Sequence, residues 1–244
     1  RFKPEAVFGL HVWSALNAGQ IGYRAGPAMA AVDSFNIVVQ GQQTHGAKPW
    51  AGIDPIVTAA ELVTSTQTIV SRKMNLTQQP VVLSFGAIKG GIRSNIIPDS
   101  VELIGTIRTF DEDMRQNLFT DFRTIAEHVA AAHGAKAVAQ IPFGPSYPKL
   151  VNDPELTARM LPSLKKVAGA EVLQMDLLTV SEDFAFFSNE VPGFYFFIGS
   201  TPKGEDAQAA PSNHSPKFLL DESSLPLATR ALLQVSVDYL NGMR

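Results

Sequence analysis

The chain contains no cysteine. That excludes disulfides, thiolate metal ligands and a cysteine nucleophile; secreted and intracellular locations are both compatible with it. It also lacks any basic run. Its 20 Lys and Arg are scattered and the formal charge is −3, so nothing in the electrostatics calls for nucleic acid or an anionic membrane as partner. No apolar stretch approaches the roughly 20 residues of a membrane span; Phe194–Ile198 is far too short and reads as a buried strand. An initiator Met and a signal-peptide pattern are absent as well. The opening RFKPEAVFGLHVW starts as if in mid-protein, which fits either a processed or trimmed N-terminus or a missing preceding portion.

What is present is organised around residues 30–143, which have the pattern of a complete small domain. Asp33–Gln40 (DSFNIVVQ) alternates polar and apolar residues and suits a half-buried strand. Asp54–Lys73 reads as a helix with Asp54 as N-cap, Pro55 in the first turn and an apolar stripe through Ile56, Ala59, Ala60, Val63 and Ile69. Pro80–Ile88 and Val101–Phe110 are two further strands, Asp111–His133 a second helix opening on acidic residues, and Ala135–Phe143 a last strand. The order β-α-β-β-α-β predicts a ferredoxin-like sandwich with its own two-layer core. The fold class is therefore α/β, with 30–143 inserted into a domain made from 1–29 and 144–244.

The flanks carry their own elements. Asn152–Val167 predicts a helix capped near Asn152 or Asp153, Glu171–Leu178 an extended segment, and Gly193–Gly199 a strand buried on both faces. Asp221–Met243 predicts a long terminal helix.

Candidate site residues sit mostly in loops. His11, between Leu10 and Val12 at a strand end, and His214, in SNHSPKF, stand on either side of the insert. A lone His beside apolar residues is more often a satisfied core or surface histidine. If the flanks form one α/β domain, however, both converge near the carboxyl ends of its strands, and two neutral imidazoles suit zinc or a similar ion. Within the insert, the Gly41–Pro55 loop carries His45, and Lys89–Asp99 carries paired glycines and Asn95; either is also compatible with an ordinary connection. Glu182 and Asp183 can cap a short helix or place a carboxylate at a pocket. His128 and His133 read as solvent-exposed.

Taken in order, GLHVW (9–13), GQQTHGAKPWAGIDP (41–55), SNIIPD (94–99), GTIRTF (105–110), SEDFAFF (181–187) and NHSPKF (213–218) around such an insert resemble the carboxy-terminal part of the M20-type metallo-amidohydrolases and peptidases. The resemblance lies in the branch of N-acyl-amino-acid amidohydrolases that includes hippurate hydrolase and indole-acetyl-amino-acid hydrolases. It implies a two-metal α/β catalytic domain with an inserted lid that mediates homodimerisation. It further implies that His11 and His214 ligate the metals, zinc or manganese with nickel or cobalt as other candidates. By the same resemblance His45 reaches the partner subunit's active site, Asn95 and Arg108 hold the carboxylate end of an N-acyl amino acid, and Glu182 supports the metals.

One departure matters most. The family's early metal motif and its Glu-Glu pair do not occur; no HxD and no EE is present in the chain. The expectation is a piece of a longer enzyme that as it stands does not catalyse. Metal-assisted amide hydrolysis is the expected reaction of the intact protein. A dipeptidase or carboxypeptidase of the same fold, and a non-catalytic dimerising module, are the alternatives.

Overall fold

The computed structural model describes residues 3–242. Arg1 and Phe2, and Met243 where the predicted terminal helix ends, lie outside the described residues. In chain order the strands are β1 (Val7–Asn17), β2 (Ile21–Tyr23), β3 (Gly26–Met29), β4 (Ala31–Gln40) and β5 (Thr44–His45), followed by helix α1 (Pro55–Thr68). Then come β6 (Val81–Gly90), β7 (Ile96–Ile97), β8 (Ser100–Thr109), α2 (Glu112–Ala132) and β9 (Lys136–Gln140). The last third holds β10 (Leu150–Asn152), α3 (Pro154–Ala168), β11 (Val172–Gln174), α4 (Ala185–Ser188), β12 (Gly193–Thr201) and α5 (Ser224–Leu240). The chain divides into two compact units, one of residues 30–149 with 179–181, the other of the remaining segments.

In the first unit the four strands lie in the order β6-β8-β4-β9, antiparallel throughout. Two helices supply the second layer, and this is the β-α-β-β-α-β sandwich that the sequence pattern predicts. Period-two alternation on β4 and β8 sends Phe35, Ile37, Val39, Leu103 and Ile107 into one core. Leu62 of α1 and Leu118, Phe119 and Phe122 of α2 meet them there. Both helices begin as predicted: Asp54 accepts from the amides of Ile56 and Val57, and Asp111 from that of Met114. Three expectations need correction. α1 gives way at Ile69 to a π-helical turn through Lys73, β9 stops at Gln140 rather than Phe143, and His133 is not simply solvated. Its Nε2 lies 2.7 Å from Glu61 Oε2 and joins α2 to α1.

Gly105 shows why this core tolerates no extra atom. A Cβ there would sit 2.1 Å from the Ser84 carbonyl oxygen and 2.2 Å from Phe35 Cζ. Phe35 is itself fixed against Phe85 and Phe122, with ring centroids 5.0 and 4.7 Å away. Gly105→Ala is expected to destabilise this unit by about 3 kcal/mol, the upper range for overpacking. Calorimetry of the purified protein checks this; an unchanged melting temperature would refute it.

In the second unit the sheet order is β1-β12-β2-β11, with β1 parallel to β12 and β12 antiparallel to β2. The apolar run of β12 serves two cores. Phe194, Phe196 and Ile198 pack with Met160, Leu164, Ala231 and Val235 of α3 and α5. Tyr195 and Phe197 point to the other face, toward Met29, Leu150 and Ala185. Asp153 is the cap of α3, accepting from Leu156. Among the described residues no helix is long and apolar enough to cross a membrane.

Candidate functional site

Site geometry in the flanking unit gathers along the parallel pair β1 and β12, and His11 is not at a strand end as expected: β1 continues from Val7 to Asn17, and His11 pairs with Phe197 in mid-strand. His11 on β1 is half-buried, and its Nδ1 lies 2.5 Å from the Val12 carbonyl oxygen. A carbonyl only accepts, so Nδ1 carries the proton and Nε2 keeps its lone pair. Metal-ligating histidines are commonly held in this way, the second ring nitrogen donating to a backbone carbonyl.

The same carbonyl receives Asn213 Nδ2 at 2.8 Å, while Asn213 Oδ1 accepts the Ser14 amide at 3.2 Å. The amide side chain thus docks on the edge of β1 as another strand would, on the residue before His214. His214 itself is exposed in a turn. The structure therefore brings the His11 and His214 segments to one carbonyl group. Sequence reasoning passed over Asn213, whose only signal is its place beside His214.

Glu182 is held at both oxygens. Oε2 accepts the Tyr195 hydroxyl at 2.9 Å and Oε1 the Asp183 amide at 3.0 Å. Burial, with the Glu182 charge adding to it, pushes the Tyr195 hydroxyl well above its usual range, so it remains a donor. Tyr195 is fixed in turn by Asn152, which exchanges two hydrogen bonds with its backbone at 2.7 and 2.8 Å. Asn152 is thus a buried brace and not the helix cap. Among the described residues no group of three or more His, Cys, Asp or Glu could hold a metal. The described residues of the flanking unit offer the imidazoles of His11 and His214 but no complete ligand set.

The insert presents a different pair. His45 ends β5, which pairs with β7 so that His45 lies opposite Ile96, and the Gly46 amide donates to the Asn95 carbonyl at 2.8 Å. His45 and Asn95 therefore share one short hairpin, and both are exposed. The loop closes tightly, since a Cβ on Gly52 would lie 2.5 Å from the Gln42 carbonyl oxygen. His45 Nδ1 accepts the Ala47 amide at 3.0 Å. Its proton is therefore on Nε2, the opposite tautomer to His11.

Arg108 lies elsewhere. It pairs with Val32 and Val82 at the far end of β8, whereas Ser100, at the hairpin end, pairs with Gln40. The eight residue steps between span about 27 Å. Within one chain Asn95 and Arg108 are not a single clamp. Alternation puts Arg108 on the sheet face away from the helices, where Nη1 donates to Ser181 Oγ at 3.1 Å. Burial lowers its pKa, partly offset by the nearby Asp33 charge. Asp33 is already bound by Arg115 at 2.6 and 2.7 Å, and Arg108 makes no ion pair among the described residues. A half-buried guanidinium with no carboxylate partner has donors to offer an anion.

Residues 31–134 match the family of the peptidase dimerisation domain. An N-acetyl-L-cysteine deacetylase of Bacillus subtilis is 36% identical over 98% of this chain and 55% of its own length. Thermostable carboxypeptidase 2 of Saccharolobus solfataricus is 34% identical over 96% of this chain and 58% of its own. Among solved structures, the Bacillus subtilis YXEP protein, described as a dinuclear metal-binding peptidase from the M20 family, is 31% identical. It superposes with a TM-score of 0.72 over 97% of this chain and 58% of that one. The chain spans little more than half the length of these relatives.

Proposed function

We propose, from the premise that the chain belongs to the M20 peptidase family, that the full-length protein hydrolyses the amide bond of N-acyl amino acids with the help of two divalent ions. The observation that carries this reading is the opposite tautomers of two histidines. His11 offers a bare Nε2, as a ligand must, and His45 offers an Nε2–H, as a donor to oxygen must. His214, on the loop that Asn213 docks beside His11, is the second imidazole ligand. When bound, such ions, zinc or manganese, polarise a carbonyl and lower the pKa of water toward neutrality.

The chain's own residues do the rest of the work assigned to them. Nε2–H of His45 donates to the scissile oxygen as negative charge develops on it. Arg108 receives the substrate's carboxylate through its fork of donors, and the Asn95 amide adds a contact beside His45. Glu182, fixed by Tyr195 and its own backbone, supports the ligands. The chain has no Glu-Glu pair, so the proton acceptor belongs to the rest of the full-length protein.

Because His45 and Asn95 sit on the hairpin that leads into the Ser100 end of β8, and Arg108 is about 27 Å further along that strand, they serve a different substrate from the one Arg108 holds. The match to a dimerisation domain supports a homodimer through the insert, with His45 and Asn95 acting in the partner's site. Trp50 and Ile92, 79% and 93% exposed, border this hairpin and are the apolar surface a second copy would cover.

A carboxypeptidase reading keeps the same parts, since Arg108 would hold the terminal carboxylate of a peptide equally well. It is favoured by the likeness to a thermostable carboxypeptidase. Rates on N-acetyl amino acids against dipeptides separate the two. In the full-length protein, His11→Ala is expected to lower bound metal by about one ion per chain. Activity should fall by more than the roughly 10–100-fold typical of an outer-shell partner. Metal analysis of the purified variant checks this, and full metal content with normal turnover would remove His11 from the ligand set.

A further inference from the structure

Residues 179–181 leave the flanking unit and pack with the insert. The strap they form is pinned by its backbone: the Ala30 amide, at the start of the insert, donates to the Val180 carbonyl at 3.0 Å. The next side chain, Ser181, turns its Oγ to Arg108 Nη1 at 3.1 Å. Both residues are half-buried. Arg108 stands on the sheet face away from the helices, and the acid whose charge acts on it, Asp33, is already gripped by Arg115. Ser181 is thus the polar side chain that restrains this guanidinium.

A long, flexible arginine gains binding strength from being held in its bound rotamer before the ligand arrives. A guanidinium has five N–H donors. Spending one on Ser181 leaves a pair free to grip a carboxylate side-on. We propose that Ser181 is a positioning residue that orients Arg108 for the carboxylate of the substrate. This rests on the reading of Arg108 given above. It adds a determinant of specificity, because the benefit applies only to substrates carrying that carboxylate.

The test uses full-length, metal-loaded enzyme and two substrates, an N-acetyl amino acid and its carboxamide. Ser181→Ala is expected to raise KM for the acid about 3–10-fold with kcat nearly unchanged, the effect of freeing one side chain. KM for the carboxamide should not move, and Ser181→Thr should restore the acid's KM. In an Arg108→Ala background, Ser181→Ala should add nothing. Equal losses on acid and carboxamide would mean a structural role and overturn the proposal. A further loss in the Arg108→Ala background would mean direct contact with substrate and would also overturn it. If Arg108→Ala impairs the acid selectively while Ser181→Ala does not, only the role of Ser181 falls. If Arg108→Ala treats acid and carboxamide alike, the carboxylate reading of Arg108 falls and this proposal with it.

Discussion

His45→Ala in the full-length protein is expected to lower kcat by about 10²–10³-fold, the cost of removing one oxyanion donor, with metal content and dimer mass unchanged. The physical reason is the placement of its proton. The Ala47 amide occupies Nδ1 at 3.0 Å, so the exposed Nε2 can only donate, and a donor aimed at developing charge acts on turnover more than on binding. His45→Gln, which keeps an N–H donor but loses the locked ring, should recover part of the rate. A stronger check exploits the trans arrangement. His45→Ala subunits combined with His214→Ala subunits form mixed dimers in which one of the two sites has a wild-type set of residues. Random pairing of two equal populations then recovers about a quarter of wild-type activity. Recovery no better than the two parents alone would show that His45 works within its own chain or not at all.

Arg115→Met is the largest stability change expected, about 3–5 kcal/mol, or roughly 10 °C in melting temperature for a chain of this size. Arg115 grips Asp33 with two parallel bonds, 2.6 and 2.7 Å, and its guanidinium lies 5.3 Å from the centre of the Phe119 ring. The Asp33 side chain is 0% exposed and that of Arg115 is 14% exposed. Losing the arginine therefore strands a carboxylate in the core, with no water to replace its partner. Asp33→Leu should cost less, because Arg115 keeps Glu112 at 3.0 Å and a partial view of solvent. The double variant, Asp33→Leu with Arg115→Met, should be more stable than Arg115→Met alone, since a buried ion pair is costlier to break than to replace. Urea denaturation of the four proteins decides the matter. A single Arg115→Met within 1 kcal/mol of wild type, on the scale of a surface pair, would show that Asp33 is not truly stranded.

The hydrophobic periods of the insert were legible residue by residue. DSFNIVVQ alternates and forms β4; the Asp54–Pro55 and Asp111–Glu112 pairs open helices because a carboxylate can bind the first free amides, and the helices do start there. The unbroken GFYFFIG run announced a strand buried on both faces, and Phe194 and Tyr195 do face separate cores. These features depend on neighbours within a few residues, which a linear chain displays.

The site was legible only in kind. His11, His45, Asn95, Arg108, Glu182 and His214 stood out as chemistry-bearing residues in ordered motifs, and the sequence by itself determined that an α/β protein with an inserted sandwich would carry them. Their grouping was decided by tertiary structure. β5 and β7 are two residues each, too short for any period, yet they tie His45 to Asn95. Eight residues of β8 keep Arg108 away from both. Asn213 meets Val12 across 201 positions, Arg108 meets Ser181 across 73, and Asp33 meets Arg115 across 82. Such contacts leave no trace in local composition, because they form only when strand pairing and helix packing bring distant stretches together. Which histidine nitrogen bears the proton is set by a near neighbour in sequence, the Val12 carbonyl for His11 and the Ala47 amide for His45, but only the folded backbone brings that group within reach of the ring.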